Sequence, residues 1–131
     1  MLRRPALIAT TLAVTLALAL PAVATASYGA IAVDPLYPPP APFGFSFHFA
    51  TKAGARHKAL RECRKHASTG RCRLVAMIHN FCAAVVYSPL FRNGYGPYVA
   101  GLGSSKRVAI ANARIRMGDP HAKLVVWTCS G

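Results

Sequence analysis

The chain has 131 residues, 53% of them hydrophobic, with 16 Lys and Arg against three acids and a formal charge of +13. That length supports one modest core rather than several, and the charge favours anionic partners. The three carboxylates, Asp34, Glu62 and Asp119, leave little material for a hydrolase built on paired acids.

Residues 1–26, MLRRPALIATTLAVTLALALPAVATA, have the pattern of a cleaved secretory signal. Arg3 and Arg4 precede a weakly polar to apolar run of 15 residues, Ala6–Leu20; Pro21 breaks it, and Ala24-Thr25-Ala26 is an A-x-A cleavage site. A span needs about 20 apolar residues, so the run is too short to be kept as an anchor. No lipobox cysteine follows. The expected product is residues 27–131, a single small extracytoplasmic domain with no integral span after processing. Fourteen basic residues then face three acids, a net charge of +11.

The first strand is predicted over Tyr28–Val33. The prolines of DPLYPPPAP, Asp34–Pro42, force an extended turn. FGFSFHFA then sets Phe43, Phe45, Phe47 and Phe49 against Gly44, Ser46 and His48 with a period of two. Thr51 caps a helix whose apolar stripe is Ala55, Ala59, Leu60 and Cys63. Gly70 is the expected stop, and Arg71–Ile78 the returning strand. A second series follows. Cys82–Tyr87 reads as a strand, Asn93-Gly94 as a hairpin turn, and YGPYVAGLG as an edge or bulged strand. Ser104 or Ser105 caps a helix with its stripe on Val108, Ala109, Ala113 and Met117. Gly118-Asp119-Pro120 stops that helix before a last strand, Ala122–Cys129.

The two series align with each other. YGAIAVD, Tyr28–Asp34, lies over FCAAVVY, Phe81–Tyr87. ATKAGARHKALREC lies over SSKRVAIANARIRM, 54 positions on, and CRLVAMI over AKLVVWT, 50 positions on. Three blocks in one order imply two copies, about residues 28–78 and 81–129, each supplying half of a core. The predicted fold is α+β: ββαβ twice, a mainly antiparallel sheet of about six strands with two helices packed on it.

The alignment also bears on the four cysteines. Cys63 falls opposite Met117 and Cys72 opposite Ala122, so copy two lacks both together, as a bonded pair would. Cys63–Cys72 would staple helix to returning strand, leaving Cys82 to pair with Cys129. A zinc site is disfavoured, because no C-x₂₋₄-C knuckle is present.

YGAIA, FGFSFHFA, the Thr-capped Ala-rich helix ending in Cys, CRLVAMIHNFCAAVVYS and the terminal VVWTCS together resemble the bacterial exported domain-of-unknown-function 4189 family. The resemblance covers about residues 28–130. It implies export and disulfides and assigns no activity. The chain departs from the family pattern in its long Pro-rich turn and strongly basic helices.

No G-x-S-x-G, P-loop or H-E-x-x-H motif is present, and oxidised cysteines cannot serve as nucleophiles. His48 is the most site-like histidine, and His66 reads as a solvated one. A non-enzymatic protein without cofactor or metal is expected. Ten basic residues lie in or beside the helices: Lys52, Arg56, Lys58, Arg61, Arg64, Lys65, Lys106, Arg107, Arg114 and Arg116. With both helices on one sheet face, they would merge into one positive surface. Lipid head groups or wall polymers rank ahead of nucleic acid as partners of an exported chain. The alternative is a secreted protein-directed factor, an inhibitor or host-interaction effector, using the Pro-rich loop and Tyr37.

Overall fold

The computed structural model describes residues 26–36, 41–68, 70–90 and 97–131. Residues 1–25 of the expected signal, the middle of the Pro-rich turn with Tyr37, and Asn93-Gly94 lie outside these residues. Eight elements follow in order: β1 Tyr28–Val33, β2 Phe43–Phe49, α1 Lys52–His66, β3 Arg73–His79, β4 Cys82–Tyr87, β5 Tyr98–Gly103, α2 Lys106–Met117 and β6 Lys123–Cys129. This is ββαβ twice, with six strands and two helices. The strands divide three and three into antiparallel sheets of order β2-β1-β3 and β5-β4-β6, one sheet per copy.

The central strands β1 and β4 set the layers, because both of their faces are buried. Ile31 and Val33 pack with Ala83, Val85, Tyr98 and Val126 between the sheets. Ala30 and Ala32 face the other way, against Ala55, Ala59 and Cys63 of α1. On β4, Ala84 meets Ala109, and Val86 meets Ala113 and Met117, all on α2. The stack is therefore α1, first sheet, second sheet, α2. Each sheet spends one face on its twin and one on its helix. The helices sit on opposite outer faces and their cations cannot merge into one surface, contrary to the one-face expectation.

Residue-level differences have local causes. Strand pairing aligns the copies by 54 positions at their first strands: Ile31 pairs with Ala76 and Val85 with Val126, and a bulge follows at once in both. Tyr28 thus corresponds to Cys82, and the alignment of Tyr28 on Phe81 is one residue out. Phe49 leaves the predicted Phe face because His48 takes a positive φ of 57° and β2 shifts register between its pairings with Tyr28 and Ala30. Phe49 packs on the α1 side with Tyr28 instead.

Thr51 Oγ1 accepts from Gly54 N at 3.1 Å, the expected cap. Ser105, not Ser104, caps α2. Gly118 stops α2 in the left-handed region, at φ 75°. Gly70 does not stop α1, which ends at His66 with Ala67 extended; the chain must turn there to bring Cys72 back to Cys63. Val108 is exposed, and Ile110 packs partly in its place. β5 is an edge strand in regular register, so the bulge alternative does not apply.

Both disulfides are those the alignment gave, Cys63–Cys72 and Cys82–Cys129.

Candidate anion-binding surface

Helix α1 buries Ala55, Ala59 and Cys63, positions four residues apart that form one stripe. Its cations are therefore driven to the flanks and the outer side. On one flank Glu62 Oε1 accepts from Lys58 Nζ at 2.8 Å and from Lys65 Nζ at 3.0 Å. Those two hydrogen bonds hold its carboxyl down at about 2. Lys58 and Lys65 are thus committed to the helix's one acid. Lys52, Arg56, Arg61 and Arg64 are exposed and make no ion pair among the described residues. Asp34 follows β1 and Asp119 follows α2, so neither belongs to α1.

Helix α2 treats its cations differently. Arg114 Nε donates to Ala122 O at 3.0 Å and Arg116 Nη1 to Ala100 O at 2.7 Å. Lys106 Nζ stands 4.5 Å from the centroid of the Trp127 ring, a cation–π distance. Arg107 is exposed and makes no ion pair or hydrogen bond among the described residues. The ten predicted residues thus split: four outward on α1, two bound to Glu62, three leaning on α2's own surroundings, and Arg107.

His48 turns toward Ser27, just before β1, its Nδ1 sharing a hydrogen bond with Ser27 Oγ at 3.3 Å. Ser27 Oγ also shares one with Ser130 Oγ at 2.8 Å. His66 is exposed at the end of α1, as expected of a solvated residue.

Two grooves flank α1. One, of about 600 Å³, runs beside β2 and includes Phe45, Phe47, Lys58 and Glu62. The other, of about 720 Å³, lies between α1 and β3. Its apolar wall is Ala53, Leu60, Leu74 and Met77, and its rim carries the cations Lys52 and Arg56 beside His57. Sequence alternation misses this second groove. Leu74 has the parity of core residues Ala76 and Ile78, and only the bulge opposite Ile31 and Ala32 turns it to the α1 side.

A disulfide-stapled pair of ββαβ units with an open cationic helix face defines a class of small α+β proteins. The model of the domain of unknown function DUF4189 matches residues 28–129, and the chain belongs to that family. Among solved structures, the chain is similar to the NMR structure of Rv1813c from Mycobacterium tuberculosis, with 25% identity, a TM-score of 0.50, and coverage of 98% of this chain and 95% of that one. No curated protein matches it.

Proposed function

We propose that the protein is a small exported, non-enzymatic binding module that docks on anionic cell-envelope or host surfaces through α1. Export rests on the signal pattern of residues 1–26, and the two disulfides fit an extracytoplasmic setting. No helix among the described residues is long and apolar enough to cross a membrane.

One observation carries the reading. Lys52, Arg56, Arg61 and Arg64 stand outward while the only acid of their helix is already held by two other lysines. A merely solubilising face normally interleaves both signs. The test is co-sedimentation with phosphatidylglycerol and phosphatidylcholine vesicles across a salt series. Binding is expected only to the anionic vesicles and weakens as salt rises. R56Q/R61Q is expected to lose about 1 kcal/mol per cation, and R107Q to lose less. Equal binding to both vesicle types would falsify the proposal.

A second reading has its own observation: Phe45 and Phe47 are 39% and 50% exposed on the edge strand β2. Such a surface suits a protein partner. A pull-down that survives R56Q/R61Q but is lost on F45S/F47S, or on deleting the Pro-rich loop, selects this reading.

A further inference from the structure

The two copies offer an internal comparison at the α1–β3 groove. Strand pairing puts Met77 opposite Ala30 and Trp127 opposite Ala84, equivalent places in the two sheets. Lys52 and Lys106 are each the first residue of their helix. In copy two the Trp127 ring stands under the Lys106 ammonium. Arg114, at the position of Leu60, reaches across to the Ala122 carbonyl. In copy one Met77 replaces the indole and Leu60 the arginine. Copy two thus sets an aromatic ring from its own chain beneath the cation, and the groove left at its matching helix positions, among them Arg107, Ile110 and Ala111, is about 350 Å³ against about 720 Å³ in copy one.

The chemistry of the open groove specifies what fits. Its wall of Ala53, Leu60, Leu74 and Met77 offers only apolar atoms from side chains, and its rim carries Lys52, Arg56 and His57 with no acid among the lining residues. The groove on the opposite flank of α1 contains Glu62 and lacks this charge character. An apolar wall gains from burying hydrocarbon, and the exposed Lys52 and Arg56 at its edge gain from an anion brought beside them. We infer that the α1–β3 groove binds an anionic phospholipid, with part of an acyl chain on Leu60, Leu74 and Met77 and the head-group phosphate on Lys52 and Arg56. This rests on the anionic-surface reading and sharpens it: the contact is a seated lipid and not a diffuse charge layer.

The test uses the processed, oxidised protein and short-chain phosphatidylglycerol below its micelle concentration, followed by methyl NMR. Glycerol phosphate and short-chain phosphatidylcholine serve as the head-group-only and zwitterionic arms. Saturable shifts of the Leu60, Leu74 and Met77 methyls are expected with phosphatidylglycerol, and binding at least about tenfold weaker in both other arms. Met77→Trp copies the arrangement of copy two. It is expected to keep the fold, by circular dichroism, and to weaken phosphatidylglycerol about tenfold. Should that variant not fold, the wild-type methyl shifts decide alone. Binding to anionic vesicles with unmoved groove methyls, or with glycerol phosphate equal to phosphatidylglycerol, overturns the seated lipid and leaves the surface reading standing. No binding to anionic vesicles overturns both.

Discussion

Gly44 and Gly101 are where each helix lies closest to its sheet. A Cβ on Gly44 would overlap the Ala59 carbonyl oxygen and the Cys63 amide, and one on Gly101 would overlap the Ala113 amide. Backbone cannot move aside as a flexible side chain does, so Gly44→Ala is expected to destabilise by about 1–3 kcal/mol. Chemical denaturation checks this; an unchanged midpoint would contradict the close approach. Glu62 gives a pH signature. Its carboxyl is lowered from 4.5 to about 2 by Lys58 and Lys65. A depressed acid stabilises the fold above its unfolded value and loses that contribution as pH falls through the folded one. The Glu62 share is therefore present above about 4.5 and vanishes toward about 2. Melting curves across that window should differ between wild type and Glu62→Gln, modestly, because the pair is solvent-screened. Asp119 is lowered in the same direction, first by Ser88, whose Oγ donates to Oδ2 at 2.6 Å, and then by the His121 amide. At the other extreme Tyr98, buried between the sheets, is pushed up to about 12 by that burial first, then by Tyr87 and Asp34.

Among elements, the helices were the most legible. Small residues four apart and a Thr or Ser cap state both the buried stripe and the start, and α1 buries Ala55, Ala59 and Cys63 accordingly. The strands were legible as strands, but their partners were not. Nothing in FGFSFHFA reports the positive φ of His48 that redirects Phe49, since a side chain's type does not fix a single backbone flip. Nor does CRLVAMIH announce that β3 slips one residue against β1. Such one-residue events move a side chain to the other face, and the α1–β3 groove depends on one of them. The disulfides were legible because copy two lacks Cys63 and Cys72 as a unit, with Met117 and Ala122 in their places, which leaves Cys82 for Cys129. Opening Cys63–Cys72 by paired substitution is expected to cost roughly 3 kcal/mol, and opening Cys82–Cys129 roughly 4, from loop length alone. Equal losses, or a larger loss for the nine-residue separation than for the 47-residue one, would show that strain outweighs chain entropy.

For the whole molecule, the layer order was the least legible property, because it depends on which faces of the two copies meet. Ala30 and Ala32 on β1 and Ala84 on β4 face the helices, with Val86 the larger residue on that side, while Ile31, Val33 and Val85 face the opposite sheet beside Ala83. Small residues let a helix settle close, and larger branched ones fill the wider space between sheets. That choice puts α1 and α2 on opposite outer faces, with the four outward cations of α1, proposed to dock on anionic surfaces, on one face. The protein is therefore expected to coat anionic vesicles without bridging them. Light scattering of a phosphatidylglycerol suspension should stay flat as protein is added, and clustering would show that α2 binds as well.

The cysteine pairing has a consequence for biogenesis. The bonds join first to second and third to fourth cysteine along the chain. In a polypeptide delivered N-terminus first through a membrane pore, each bond can close on the next thiol to arrive, and no earlier bond has to be undone. A thiol oxidase is then sufficient. The yield of native protein should be the same in cells lacking a disulfide isomerase, a condition that would trap chains whose native bonds cross.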